Sequence, residues 1–174
     1  KGDFENKPTC RLINPTKSEI GKISKILLNR IVNDTVKATN VNLWKNTNEV
    51  ISWYKDISDK QECRFISFDI TEFYPSITEK LVLDALAFAG QYTNITDEDK
   101  EIIIQAKRNL LISKGEQWTK KNADSPFDVT MGSYDGAETC ELVVCFLLSQ
   151  LQHKYGNNIG LYRDDGLGIF KNTP

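Results

Sequence analysis

The sequence predicts an α+β domain in which a small antiparallel sheet is backed by helices. One observation is the compact, mostly apolar run Arg64–Ile70, which has the length and composition of a buried strand. Another is the segment Gly160–Phe170, where apolar residues flank Asp164, Asp165 and Gly166. This pattern predicts a β-hairpin with its Asp-Gly pair at the turn. The third is the helical spacing of apolar residues over much of the remaining chain.

Capping residues and apolar periodicity predict five helices. The first has an apolar side formed by Ile20, Ile23, Ile26, Leu27 and Ile31. The helices are expected after Ser18, from Thr47 as a cap, from a Ser76–Glu79 capping box to about Ala89, from Thr96 to about Ile112, and over Ala137–Tyr155. A short strand is expected at Cys10–Pro15, an irregular hairpin over Gly115–Met131 and a turn over Gly132–Gly136.

Length and charge set broad limits on the class of protein. The chain has 174 residues, which suits one domain, and its net charge of −2 does not indicate nucleic-acid binding. Residues 1–60 carry 11 basic and 7 acidic side chains, whereas residues 61–174 carry 11 basic and 17 acidic ones. An anionic second part is expected if it holds metal-binding carboxylates, and ordinary surface variation explains it equally well.

Cysteine and histidine usage bears on the compartment. The chain has four cysteines without a Cys-x-x-Cys pair and one histidine, His153, which disfavours a structural zinc site. Free thiols fit a reducing compartment. Since no apolar run reaches transmembrane length and the first residues are too polar for a signal peptide, we expect a soluble, intracellular protein of the nucleus or cytoplasm, with no membrane partner.

Three carboxylates form the candidate catalytic group. Asp69 ends the predicted strand, and Asp164 and Asp165 lie at the tip of the predicted hairpin. If the two strands are neighbours, the three side chains converge in a way that suits Mg²⁺ or Mn²⁺. With phosphate ligands, such a site can hold two metal ions roughly 3.5–4 Å apart. Taken singly, Asp69 is better explained as a turn or capping residue, and the Asp-Asp pair as a solvated turn.

Four segments, in order, resemble motifs of reverse transcriptases. The segment Phe68–Ile77 resembles motif A of the polymerase palm, and Tyr162–Asp165 resembles the Tyr-x-Asp-Asp of motif C. Met131–Glu138 is similar to motif B, and Cys10–Pro15 with the following helix is similar to the fingers segment of retroelement enzymes. The amino-acid sequences of these segments are more similar to those of eukaryotic retroelement enzymes, Penelope-like or non-LTR, than to those of retroviral enzymes. The resemblance implies a partial fingers subdomain in residues 1–60, a palm in residues 61–174, and no thumb.

The resemblance implies an RNA-directed DNA polymerase that adds deoxynucleotides to a primer 3′-hydroxyl. Asp69 and Asp164 would ligate two Mg²⁺ or Mn²⁺ ions, Asp165 would complete the site, and the backbone carbonyl of Ile70 would bind the metal that escorts the triphosphate. The implied partners are an RNA template, a DNA primer and deoxynucleoside triphosphates. The sequence does not indicate an oligomeric state.

Further roles come from the same resemblance. Tyr74 matches an aromatic steric gate against the ribose 2′-hydroxyl, although a core tyrosine is an alternative. Arg11 matches a fingers arginine that grips the triphosphate, and a solvated strand arginine explains it equally well. Many relatives have glutamine at the position of Met131, and Glu72 is expected to offer its backbone N–H. The implied nucleotide-binding residues are Arg11, Glu72, Phe73, Tyr74, Met131 and Gly132, and the implied nucleic-acid-binding residues are Gly136 and Tyr162.

Two other functions remain open at this point. One is a palm-like scaffold that binds RNA or protein without catalysis, although such degenerate relatives lose their metal carboxylates. The other is RNA-templated RNA synthesis, against which an aromatic residue at Tyr74 argues. Without a thumb, we expect weak template-primer binding and low activity. Lys107, Arg108, Lys120 and Lys121 could contact phosphates, but solvated surface side chains are the simpler interpretation.

Overall fold

A computed structural model describes residues 18–108, 111–118, 126–130 and 132–171. These residues confirm an α+β fold with a three-stranded antiparallel sheet and a separate two-stranded hairpin. The α-helices are α1 (Glu19–Thr39), α2 (Thr47–Lys55), α3 (Phe73–Ser76), α4 (Glu79–Ala89), α5 (Asp97–Gln105) and α6 (Gly136–Tyr155). The strands are β1 (Cys63–Asp69), β2 (Leu111–Ser113), β3 (Glu116–Trp118), β4 (Ile159–Tyr162) and β5 (Asp165–Lys171). The predicted strand Cys10–Pro15 lies outside the described residues.

The main sheet has the order β1-β5-β4, so the last strand along the chain is central. β1 runs antiparallel to β5, from Cys63 opposite Lys171 to Asp69 opposite Asp165. β4 and β5 form the predicted hairpin. The backbone of Trp44 donates to the carbonyl of Leu161 at 2.8 Å, which adds a short bridge along the outer edge of β4. The sheet therefore joins two parts of the chain that are far apart in sequence.

The hydrophobic core lies around α6, which packs against α1, α4 and β4. Six of its residues are 0% exposed, among them the aliphatic Leu142, Val143, Val144 and Leu148. Burial of side chains of this size stabilises a fold by about 1.5–3 kcal/mol each. None of the helices in the described part of the chain combines the length and apolar character that crossing a membrane requires.

The first helix forms as predicted, but only part of its predicted apolar side faces the core. The Ser18 side chain caps α1 by accepting a hydrogen bond from the Gly21 N–H at 3.1 Å. However, Ile23 and Ile26 are 50% and 70% exposed. The buried side carries Leu28, Ile31 and Val32 together with small residues, which let α5 and α6 approach closely. Ile31 of the predicted side is buried and Leu27 packs against the core, so the spacing identified the core-facing residues only in part.

The prediction that the Arg64–Ile70 run is a buried strand is wrong in its burial. β1 is an edge strand, and the side chains of Phe65 and Ile66 are 48% and 50% exposed. A short apolar run shows that a strand is favoured, but not whether another element covers it. The described helices cover the β4 side of the sheet much more fully than the β1 side.

Two predicted helix caps are displaced. α2 is capped by Asn46 rather than Thr47, and α4 is capped by Thr78 rather than Ser76. Ser76 belongs to the short helix α3, where its hydroxyl donates to the carbonyl of Glu72 at 2.7 Å. Because Ser76 is already engaged there, Thr78 is the residue that accepts from the first turn of α4.

The start of α5 is confirmed, but its end is not. Thr96 and Asp99 form a capping box. The helix then ends at Gln105 instead of about Ile112, and the chain pairs as β2 from Leu111. Lys107 enters the core at the point where the helix stops, a change of direction that apolar periodicity does not encode.

Candidate functional site at the end of the sheet

The ends of β1 and β5 bring two predicted carboxylates together. Asp69 and Asp165 are directly opposite each other in the antiparallel register. Directly opposite residues project from the same face of a sheet, with Cβ atoms about 4.5–5.5 Å apart. The N–H of Ile70 donates to the carbonyl of Asp164 at 2.9 Å, which carries the pairing one residue beyond the strand. Asp69 therefore lies beside the hairpin tip, as the sequence predicts.

The hairpin turn is not where the sequence placed it. Tyr162 pairs with Asp165, so the two loop residues are Arg163 and Asp164, and the predicted Asp-Gly turn is wrong. Arg163 has a φ of 56°, the positive φ that turns of this length favour at their first loop position. Its guanidinium lies 5.5 Å from the centre of the Tyr162 ring. This attraction between a cation and an aromatic face holds the loop arginine beside the strand.

Gly166 is needed within β5 rather than in the turn. A Cβ atom at this position would lie 2.2 Å from Cζ of the Phe68 ring on the neighbouring strand. Only glycine leaves room for that ring. The Phe68 ring therefore fills the space next to Asp165 on the helix-packed side and fixes how β1 and β5 meet.

A pocket of about 470 Å³ opens at the paired aspartates. Its walls include Trp44 and Tyr162, and both Asp69 and Asp165 line it, whereas Asp164 does not. Among the described residues, no lysine or arginine forms a salt bridge with any of these three aspartates. None of these carboxylates has an ion-pair partner in the described part, and the cation of the adjoining loop, Arg163, lies against the Tyr162 ring instead.

The carboxylates at this site provide some, but not all, of the oxygen ligands that a hard divalent cation requires. The described side chains contain no group of three or more Asp, Glu, His or Cys residues gathered closely enough to hold a metal ion by themselves. The predicted convergence of three carboxylates therefore reduces to a pair, Asp69 and Asp165, with Asp164 adjacent through its backbone. Mg²⁺ is commonly held by one or two carboxylates and completed by water and substrate phosphates, so a pair is an adequate protein contribution.

Tyr74 lies near the hairpin tip but does not line the pocket. Its half-buried side chain packs against the core cluster that contains Cys140, and its hydroxyl interacts electrostatically with Cys140, Arg163 and Asp164. Burial raises the pKa of Tyr74 to about 12, and burial likewise raises the pKa of Cys140 to about 12. Both groups therefore remain protonated at neutral pH. The structure brings the predicted gate residue to the same hairpin as the aspartates.

Three other residues for which the sequence predicts a binding role lie near the same hairpin. Glu72 is exposed and has a φ of 50°, and its carbonyl accepts from the Ser76 N–H at 3.0 Å. Phe73 is buried, with its ring 6.2 Å from the Tyr74 ring. Tyr162 is half-buried at the end of β4. The core position of Phe73 suits packing beneath Tyr74 more directly than contact with a ligand.

The segment before α6 carries the two predicted glycines. Gly132 is exposed with a φ of 85°, and Gly136 is the buried first residue of the helix. Arg11 and Met131, two further predicted nucleotide-binding residues, lie outside the described residues. Their positions relative to the aspartates are therefore not part of the described site.

A buried ion pair lies near the start of α6, and the sequence patterns do not predict it. Lys107 is fully buried and pairs with Asp135, which is also buried, so its interpretation as a solvated surface lysine is wrong. Burial lowers the pKa of Lys107, and the charge of Asp135 opposes this effect. The acidic residue Asp135 next to Gly136 is the only local signal in the sequence, since the partner lysine is 28 residues away.

Comparison with known proteins finds no matching family model, no similar curated protein and no similar solved structure.

Proposed function

We propose that this chain is the palm and part of the fingers of an RNA-directed DNA polymerase of the eukaryotic retroelement type. The observation that carries the proposal is the pairing of Asp69 with Asp165, next to Asp164, at one end of a β1-β5-β4 sheet. The motif resemblance of the same residues gives this geometry its chemical meaning. The reaction is the transfer of a deoxynucleotide to the 3′-hydroxyl of a DNA primer on an RNA template.

In this proposal the carboxylates bind and orient the reacting groups. When bound, two Mg²⁺ or Mn²⁺ ions would lower the pKa of the primer 3′-hydroxyl and stabilise the departing pyrophosphate. Asp69 and Asp165, which project from one face of the sheet, would hold these ions together with Asp164 and the backbone carbonyl of Ile70. The pairing of β1 with β5 keeps these ligands preorganised, which limits reorganisation during the reaction.

Tyr74 selects deoxynucleotides by occupying the space that a ribose 2′-hydroxyl requires. Its position near Asp164 and Arg163 supports this role, because the sugar of a nucleotide held at the aspartates would lie close to the same hairpin. An aromatic residue here favours DNA synthesis over RNA-templated RNA synthesis. The free thiols Cys63, Cys140 and Cys145 fit a reducing compartment, either nucleus or cytoplasm.

One observation favours a second candidate function, a palm-like scaffold that binds RNA or protein without catalysis. The described carboxylates do not form a complete three-ligand group by themselves. The scaffold proposal expects nucleic-acid or protein binding that is independent of Mg²⁺. The polymerase proposal expects binding of a matched nucleotide that requires Mg²⁺ and Asp69.

The test is extension of a labelled DNA primer annealed to an RNA template, with Mg²⁺ or Mn²⁺ and the four deoxynucleotides. Polymerase function predicts template-matched addition that EDTA stops and that Asp69→Asn removes. The matched control is Asp84→Asn, since Asp84 is a half-exposed carboxylate on α4 with a surface ion pair to Lys80. Primer binding without extension, unchanged by EDTA, would instead support the scaffold.

A further inference from the structure

A buried polar cluster ties three helical segments together behind the pocket. Lys107, which follows α5, forms an ion pair with Asp135, the residue that precedes α6; their side chains are 0% and 1% exposed. The hydroxyl of Ser24 on α1 donates to the same carboxylate oxygen of Asp135 at 2.5 Å. We call Ser24, Lys107 and Asp135 the buried triad. It connects α1, the end of α5 and the start of α6 in one place.

The triad is not explained by stability alone. A buried ion pair recovers little more than its own desolvation cost, and apolar residues of similar volume are often equally stabilising. The Asp135 side chain also does not cap α6, although it stands at the cap position. It points to Lys107 and Ser24, while its carbonyl accepts from the N–H and the hydroxyl of Thr139 at 3.0 and 2.8 Å. The first turn of α6 is therefore anchored through Asp135 to two other segments.

That anchored end of α6 carries Cys140. Cys140 belongs to the buried core cluster against which Tyr74 packs, and its thiol interacts electrostatically with Tyr74, Lys107 and Asp164. Because it lies about one turn beyond Gly136, any rotation or sliding of the start of α6 moves its thiol relative to the Tyr74 ring. The charged oxygen of Asp135 accepts from two donors that point in fixed directions, which restricts both movements.

We infer that the buried triad is a positioning device that holds Cys140 against Tyr74 and thereby sets the fit of a nucleotide sugar beside the hairpin tip. Ser24, Lys107 and Asp135 touch no substrate in this account, so they are positioning residues. The inference rests on the proposed polymerase function and extends it to three residues that the motif resemblance gives no role. It also assigns Cys140 a part in sugar selection.

The experiment uses the whole chain and two variants of the triad. Ser24→Ala removes one hydrogen bond and leaves the ion pair, so it is expected to fold. The double variant Lys107→Met with Asp135→Asn removes both charges together and avoids a single unpaired buried charge. The matched control is Thr35→Val, which removes an equally buried hydroxyl from the same helix, where it donates to the carbonyl of Ile31.

The first measurement is the rate at which iodoacetamide alkylates Cys140 relative to Cys145, resolved by mass spectrometry. Both thiols are buried in α6, but only Cys140 lies near the triad. Loss of about 1–1.5 kcal/mol of local anchoring predicts a rate increase on the order of tenfold at Cys140 alone. The second measurement is the ratio of deoxynucleotide to ribonucleotide incorporation, which is expected to fall in both triad variants and to stay unchanged in Thr35→Val.

Each outcome has a definite meaning. Selective labelling of Cys140 with a lower sugar ratio supports the inference. Equal acceleration at Cys140 and Cys145, or a lower melting temperature with an unchanged sugar ratio, shows that the triad serves only overall stability and overturns it. A wild-type chain that incorporates no nucleotide contradicts the proposed function itself, and with it the role of the triad in sugar selection.

Discussion

Asp69 and Asp165 stand directly opposite each other at the last paired position of β1 and β5. Two carboxylates facing each other across a strand pair repel one another, and a sheet built only for stability would place an unlike pair or an apolar pair there. The pair lines a pocket, and no salt bridge among the described residues offsets this repulsion; Arg163 of the adjoining loop lies against the Tyr162 ring instead. A bound divalent cation would turn the same arrangement into a favourable one.

The first prediction follows from this repulsion. In buffer containing EDTA, Asp165→Asn is expected to raise the free energy of unfolding by about 0.2–1 kcal/mol, because it removes one of two opposed charges. With Mg²⁺ or Mn²⁺ present, the melting temperature of the wild type should rise with metal concentration, and that of the variant should rise less. Thermal unfolding measures both effects. Glu101→Gln, a change of an exposed carboxylate on α5, is the control that should respond to metal like the wild type.

The pair is not a cation site if neither metal changes the melting temperature of the wild type and Asp165→Asn is less stable than the wild type.

The second prediction concerns the fit between β1 and β5. Gly166→Ala should destabilise the protein by about 1–3 kcal/mol, since the new Cβ overlaps the Phe68 ring. Adding Phe68→Leu to Gly166→Ala should recover part of the loss, because the smaller side chain frees that space. Denaturant unfolding of the two variants tests this. Gly90→Ala at the end of α4 is the control, and a loss there as large as at Gly166 would count against the specific overlap.

The third prediction is a pH dependence that comes from Tyr74. Its pKa in the folded protein is about 12, above the ordinary value of about 10, so the folded state holds the phenolic proton more tightly than the unfolded state. The contribution of Tyr74 to the free energy of unfolding is therefore complete below about pH 10 and is lost as the pH rises toward about 12. Tyrosinate absorbance should show a late-titrating phase in the wild type that Tyr74→Phe removes.

Tyr92→Phe, which alters a tyrosine 43% exposed, should leave that late phase in place. Persistence of the phase in Tyr74→Phe would show that another tyrosine accounts for it.

The fourth prediction tests Tyr74 as the sugar gate. Tyr74→Ala should admit ribonucleotides, because the side chain that blocks the 2′-hydroxyl is gone, while Tyr74→Phe should retain the discrimination of the wild type. Single-nucleotide incorporation with matched deoxynucleotides and ribonucleotides gives the ratio. If the ratio is the same in wild type and Tyr74→Ala, Tyr74 is a core tyrosine and not a gate.

The sequence predicted those parts of the candidate site that depend on local residue patterns. Asp69 at the end of an apolar run and Asp164-Asp165 at the tip of a hairpin are each local signals, and strand pairing then brings them together. The turn itself was misplaced because Asp165-Gly166 has the composition of a turn, whereas Gly166 is required by the Phe68 ring from another part of the chain. Local composition does not contain that contact.

The sequence alone could not predict which face of α1 is buried, or that Lys107 is buried, for a related reason. Ile23 and Ile26 are as apolar as Ile31, and only the packing of α5 and α6 decides which of them is covered. A lysine is almost never fully buried unless it is paired, and its partner Asp135 reaches it only through tertiary structure. Sequence patterns therefore predicted most of the long elements and the carboxylates, whereas packing determined the buried faces and the Lys107–Asp135 pair.

The most direct test of the central claim, that the aspartates at the end of the sheet carry nucleotide transfer, is the rate of single deoxynucleotide addition by Asp164→Asn on an RNA template with Mg²⁺. Loss of several kcal/mol of transition-state stabilisation predicts a fall on the order of 10³-fold, with an unchanged circular dichroism spectrum and melting temperature near that of the wild type. A correctly folded Asp164→Asn that adds nucleotides at the wild-type rate would contradict the account.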